Sequence, residues 1–112
     1  MSWTDWRFLA NGDSWSSETF DWKGASVYEL AIGGPRGGNL QTMYVGETKE
    51  ESVRLATYGS GRSHIEDYLS DALAEGWTIF YRAMGMPSKE QAKATQDSLL
   101  SKFDYPWNTL GQ

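Results

Sequence analysis

The sequence predicts a small α+β domain: an antiparallel three-stranded sheet covered by helices, in the order β-β-α-α-β-α. Three observations carry that expectation. Two short runs rich in β-branched and aromatic residues, Ser26 to Ile32 and Thr42 to Val45, flank a glycine-rich turn. Capping boxes begin at Thr48, Ser63 and Ser88, each opening a helical stretch. Between the second and third of these, Trp77 to Met84 repeats the strand composition. At 112 residues and 39% hydrophobic content the chain fits one domain of ordinary core size. Within it, residues 1–25 form a Trp-rich N-terminal cover, and residues 26–112 hold the regular elements.

Composition narrows the chemistry. The absence of cysteine excludes disulfides and thiolate metal sites and makes a reducing intracellular location the default. A single histidine, His64, excludes His-rich zinc clusters. The N-terminus has no basic start followed by an apolar core, and no apolar run approaches bilayer length, so a soluble chain away from the membrane is expected. The net charge of -5, with a pI near 4.7, is the wrong sign for binding nucleic acid by bulk electrostatics. Four of the six tryptophans (Trp3, Trp6, Trp15 and Trp22) precede the first expected strand. Packing into a core or cap is the favoured reading for them over a partner surface or stacking platform.

Taken in order, residues 1–25 show neither a helical nor an alternating period and read as irregular, packed by their aromatics. The first strand, Gly33 to Asn39 as the turn, and the returning strand make a hairpin. Thr48 as N-cap, with Glu51 three residues later, starts a helix at Lys49 that stops at Gly59, placing Arg54 and Tyr58 on one face. Ser63 opens a second helix with the apolar stripe Ile65, Leu69, Ala72 and Leu73, ended by Gly76. Ser88 starts the last helix, which Pro106 cannot continue. On that helix Ala92, Gln96, Leu99, Leu100 and Phe103 share a stripe, so a glutamine stands where burial is expected. It needs a partner or a purpose there, unless it lies at the stripe's edge with its amide in water.

These residues resemble the GIY-YIG nuclease family, with Ser26-Val27-Tyr28 and Tyr44-Val45-Gly46 as the two triplets. Arg54, ten residues after Tyr44, stands at the family's arginine, and Tyr58 at the following Tyr-or-His position. The Ser63-His64-Ile65 entry and the closing Asp104-Tyr105-Pro106-Trp107-Asn108 are similar to a subgroup that includes plant effector-of-transcription proteins. The likeness covers residues 26–108, and the ordered set is specific where each triplet alone is weak. The family's metal-binding glutamate, three residues ahead of a Leu-Leu pair, falls on Gln96.

The resemblance implies a metal-dependent DNA endonuclease that hydrolyses phosphodiesters of double-stranded DNA. Tyr28 would be general base or water-positioner, its phenol of reference pKa about 10 lowered by nearby positive charge. Arg54 would supply that charge and clamp the phosphate. Tyr44, with Tyr58 or His64, would orient phosphate or water, and Gly46 would let backbone approach closely. Asn108 would fix the carboxylate or the backbone near it. Lys49, Arg54, Arg62 and His64 are expected to give a local positive surface for DNA despite the acidic total.

A glutamate at position 96 would hold Mg²⁺ or Mn²⁺, whereas the neutral amide of Gln96 is a poor sole ligand, and Asp97 points about 100° around the helix. The expectation is therefore an inactive or nearly inactive chain, either by a deliberate substitution that traps a substrate complex or by natural loss. The otherwise intact Tyr28, Tyr44, Arg54 and Asn108 favour the former. The alternative is a non-catalytic module that holds DNA or a protein through the Trp-rich N-terminus and the old cleft. With no room for a separate DNA-binding domain, target choice falls to a partner DNA-binding protein, a homodimer or a further part of the chain.

Overall fold

The structure, a computed structural model, describes residues 3–12, 24–34, 39–48 and 66–110. Its strands are β1 (Arg7–Ala10), β2 (Ser26–Gly33), β3 (Gln41–Thr48) and β4 (Thr78–Gly85). Its helices among the described residues are α1 (Glu66–Ala74), α2 (Lys89–Lys102) and the short α3 (Pro106–Leu110). The strands form one antiparallel sheet in the order β1-β4-β2-β3. The expected helix at 49–58 lies outside the described residues.

The hairpin and its pairing with the third expected strand stand as the sequence predicts, and a fourth strand is added. Residues 7–10, read from the sequence as irregular, pair with β4 and cover its outer edge. The pairing shifts register between Phe8 and Ala10. That irregularity brings Leu9 and Ala10 to consecutive buried positions, which erases the alternation that marks a strand.

The two faces of the sheet are packed by different helices. Tyr28, Leu30, Tyr44, Ile79, Tyr81 and Ala83 meet Leu69 and Ala72 of α1, with Trp107 of α3. Val27 and Val45, pointing the other way as strand alternation requires, meet Ala92, Leu99 and Leu100 of α2. Helix α1 ends as expected at Gly76, where φ of 91° marks the left-handed region. The Gly76 N–H donates to the Leu73 carbonyl and the Trp77 N–H to that of Ala72, a Schellman closure.

Helix α2 opens on Ser88, whose hydroxyl accepts the Gln91 N–H at 3.2 Å. One expectation at its far end needs correction. Phe103, placed on the buried stripe by periodicity, is the C-cap in extended backbone and is 60% exposed. As expected, Pro106 does not continue α2; it starts α3 at the first helical position, where its missing N–H costs nothing.

Candidate active site

The sequence-selected residues that the structure describes converge on β3, an edge strand. At its centre Val45 is gripped at both ends by one side chain. Its N–H donates to Asn108 Oδ1 at 2.9 Å, and its carbonyl accepts from Asn108 Nδ2, also at 2.9 Å. The sequence reading left Asn108 between a carboxylate and the backbone; the structure assigns it to the backbone. Such a two-ended clamp satisfies backbone groups on the side of β3 that faces no other strand among the described residues.

Gln96 reaches the same peptide from α2. Its Nε2 lies 3.5 Å from the Val45 carbonyl, a long hydrogen bond that gives the half-buried amide its partner. A carboxylate in that position has no proton to offer and would stand against a carbonyl oxygen, so it would have to turn away. Asp97, the next residue, is exposed and within 3.8 Å of Lys93, on another side of the helix.

Tyr28 and Tyr44 sit on the opposite face of the sheet, their rings 6.1 Å apart and tilted by 44°. Both are buried. Gly46 faces Tyr28 across the strands. A Cβ built at Gly46 would lie 2.5 Å from the Tyr28 Oη and 2.6 Å from its Cζ. The glycine is thus needed to seat the end of the Tyr28 ring, a more particular reason than general backbone approach. Ser26, in the first triplet, is fully buried, and its hydroxyl has no hydrogen-bond partner among the described residues.

Five expected participants, Lys49, Arg54, Tyr58, Arg62 and His64, lie outside the described residues. Tyr28, Tyr44, Gly46, Gln96 and Asn108 are the expected participants among the described residues. Sequence reasoning missed Glu47, which follows Gly46 and faces the α2 side with its strand partner Val27. Its Oε2 is buried with no partner among the described residues. A charged residue directly after the second triplet was the available signal.

Sequence reasoning also missed a buried ionic cluster on the α2 side. Glu29, 3% exposed, faces Arg82 across β2 and β4. Its Oε1 accepts from Arg82 Nε at 2.6 Å and lies 2.6 Å from Nη2, while Oε2 accepts the Tyr105 hydroxyl. The Arg82 guanidinium lies 4.6 Å from the ring centre of Trp3 and 4.7 Å from that of Trp6. Burial, the bond to Glu29 and that carboxylate's charge push the Tyr105 phenol well above its ordinary range, against a smaller lowering by Arg82. The signal in sequence was one charge in each of two otherwise buried strands.

As it stands, position 96 offers a divalent cation only a neutral amide turned to a carbonyl, and among the described residues no three His, Asp or Glu side chains gather to hold a metal. That donor set does not fit Mg²⁺ or Mn²⁺. No described helix is long and apolar enough to cross a membrane.

A family model described as GIY-YIG domain-containing protein matches residues 21–112. Protein EFFECTOR OF TRANSCRIPTION 3 of Arabidopsis thaliana is 37% identical over 93 residues, which cover 74% of this chain and 35% of that protein. Protein EFFECTOR OF TRANSCRIPTION 2 of the same plant is 31% identical over 85 residues, covering 58% of this chain and 18% of its own length. The chain thus spans roughly a third or less of the length of these relatives. No solved structure matches.

Proposed function

The chain belongs to the GIY-YIG domain family, and from that premise we propose that it is a DNA endonuclease domain, built to hydrolyse phosphodiesters and disabled at Gln96. The observation that supports this reading best is the shared grip on Val45. Asn108 and position 96 meet at one peptide of β3, between the two residues, Tyr44 and Gly46, that complete the second triplet. Tyr28 would take the proton from the attacking water, with Arg54 lowering its pKa and holding the phosphate. Tyr44, with Tyr58 or His64, would orient water and phosphate, and Lys49 and Arg62 would extend the contact to the DNA backbone.

A carboxylate at position 96 would face away from the Val45 carbonyl and give a divalent cation an anionic oxygen. Such a cation would neutralise charge on the phosphoryl oxygens. The second reading, a non-catalytic module that holds DNA or a protein, draws on the relatives, whose names describe effectors of transcription. Nicking of supercoiled plasmid by Gln96→Glu in Mg²⁺ or Mn²⁺ separates the two. The endonuclease reading expects nicks that the unaltered chain does not make. Duplex binding without nicking by Gln96→Glu would favour the module.

A further inference from the structure

A cavity of about 410 Å³ opens on the α2 side of the sheet, lined by Trp3, Glu29, Thr42, Arg82, Leu99, Phe103, Asp104 and Tyr105. Its size falls in the range of small-ligand sites, about 300–1,000 Å³. The charges around it decide what it can take. Glu29 is already neutralised, with both oxygens engaged by Arg82 and Tyr105. Arg82 spends its Nε and one Nη2 contact on Glu29 and remains 30% exposed, with Nη1 lacking an acceptor among the described residues. Asp104 is exposed and its carboxylate has no described partner. The cavity therefore presents one free donor edge and one free acceptor-only group of opposite charge. A simple anion would meet Asp104, and a simple cation would meet Arg82. A neutral ligand with acceptors on one edge and donors on another satisfies both.

The wall adds a shape requirement. Phe103, 60% exposed, lines the cavity together with Trp3, Leu99 and Tyr105, so aromatic surface stands beside the charged groups. Flat heteroaromatic rings stack on such a surface. Leu99, on the same wall, lies three residues beyond Gln96, about 4.5 Å of helix rise.

We propose that this cavity receives an unpaired guanine base of a nucleic-acid strand, stacked on Phe103, with its N1–H and N2–H donating to Asp104 and its O6 and N7 accepting from Arg82. Guanine is the base that pairs two adjacent donors with two adjacent acceptors. This assignment rests on the nucleic-acid reading of the β3 site, but its test does not pass through that site.

The test is titration of guanosine, inosine and adenosine, which carry no phosphate, followed by tryptophan emission and calorimetry on the unaltered chain. Guanosine is expected to bind roughly tenfold more tightly than adenosine, with inosine between them. Phe103→Ala should weaken guanosine roughly tenfold, and Asp104→Asn should remove the preference over adenosine while both variants melt as the unaltered chain does. A second titration uses single-stranded oligothymidine carrying one guanine or one abasic position, and the guanine strand should bind more tightly by a similar factor. No response to millimolar guanosine, or guanosine binding unchanged in both variants, would overturn the pocket. Nucleoside binding with no gain from the guanine in the strand would overturn the strand as its source. Failure of plasmid nicking by Gln96→Glu would leave these nucleoside results intact and bear only on the β3 site.

Discussion

At the scale of single residues, the site depends on groups that leave no slack. The Gly46 position is closed by the Tyr28 ring, itself fully buried between the strands and α1. Gly46→Ala must push that ring aside, so thermal or urea unfolding should show a loss of about 1–3 kcal/mol. An unchanged midpoint would mean that the ring moves freely, which a packed core does not allow. Tyr105 gives a pH-dependent counterpart. Its phenol is raised in the folded state by burial and by Glu29, so the folded chain holds that proton to higher pH than the unfolded one. The stability it contributes is complete below pH about 10, the unfolded value, and is lost as pH rises beyond it. Tyr105→Phe leaves Glu29 Oε2 without its donor and should cost about 1–3 kcal/mol at neutral pH. The gap between variant and parent should then narrow above pH 10, measured by denaturant unfolding across that range. A gap constant with pH would mean that the hydroxyl titrates alike in both states.

At the scale of elements, the N-terminal strand is the least expected part of the fold and among the most consequential. The family match begins at residue 21, yet β1 covers the outer edge of β4, and Trp3 and Trp6 lie over Arg82. A chain starting at residue 21 would bare that edge and lose the burial of Leu9, so it should unfold with at least about 2 kcal/mol less stability and aggregate more readily. Equal stability of the shortened chain would show that β1 is only laid on the sheet. The other strands, α1 and α2 were legible in sequence because their signals are long or bounded: glycines around the hairpin turn, a closing glycine at 76 after α1, a capping serine at 88 before α2. Strand β1 was not, because four residues with a register shift show no alternation. Phe103 was misplaced because the stripe was extended one residue past the point where the backbone leaves the helix. Within the site, Gln96 was found by periodicity and Asn108 by resemblance, but the peptide that unites them carries no side-chain signature. Glu29 and Arg82 escaped because their pairing is across strands, visible only once register is fixed.

For the molecule as a whole, the question is how a chain of net charge -5 would hold DNA. On the endonuclease proposal, Lys49, Arg54, Arg62 and His64 would supply local positive charge to the DNA backbone despite the acidic total. Duplex binding should then weaken steeply as salt rises, and Arg54→Ala should reduce both affinity and the salt slope, read by anisotropy at several ionic strengths. Binding that is flat with salt would speak against phosphate contacts. The central claim is that position 96 alone separates this arrangement from a working nuclease. The most direct measurement is the single-turnover nicking rate of Gln96→Glu in Mg²⁺, beside the parent chain and beside Gln96→Glu with Arg54→Ala or Tyr28→Phe. Restoring a charged ligand supplies several kcal/mol to the transition state, so the account predicts a gain of at least about 100-fold, abolished again in either double variant. A Gln96→Glu chain that is folded and binds duplex, yet nicks no faster than its parent in Mg²⁺ or Mn²⁺, would contradict it.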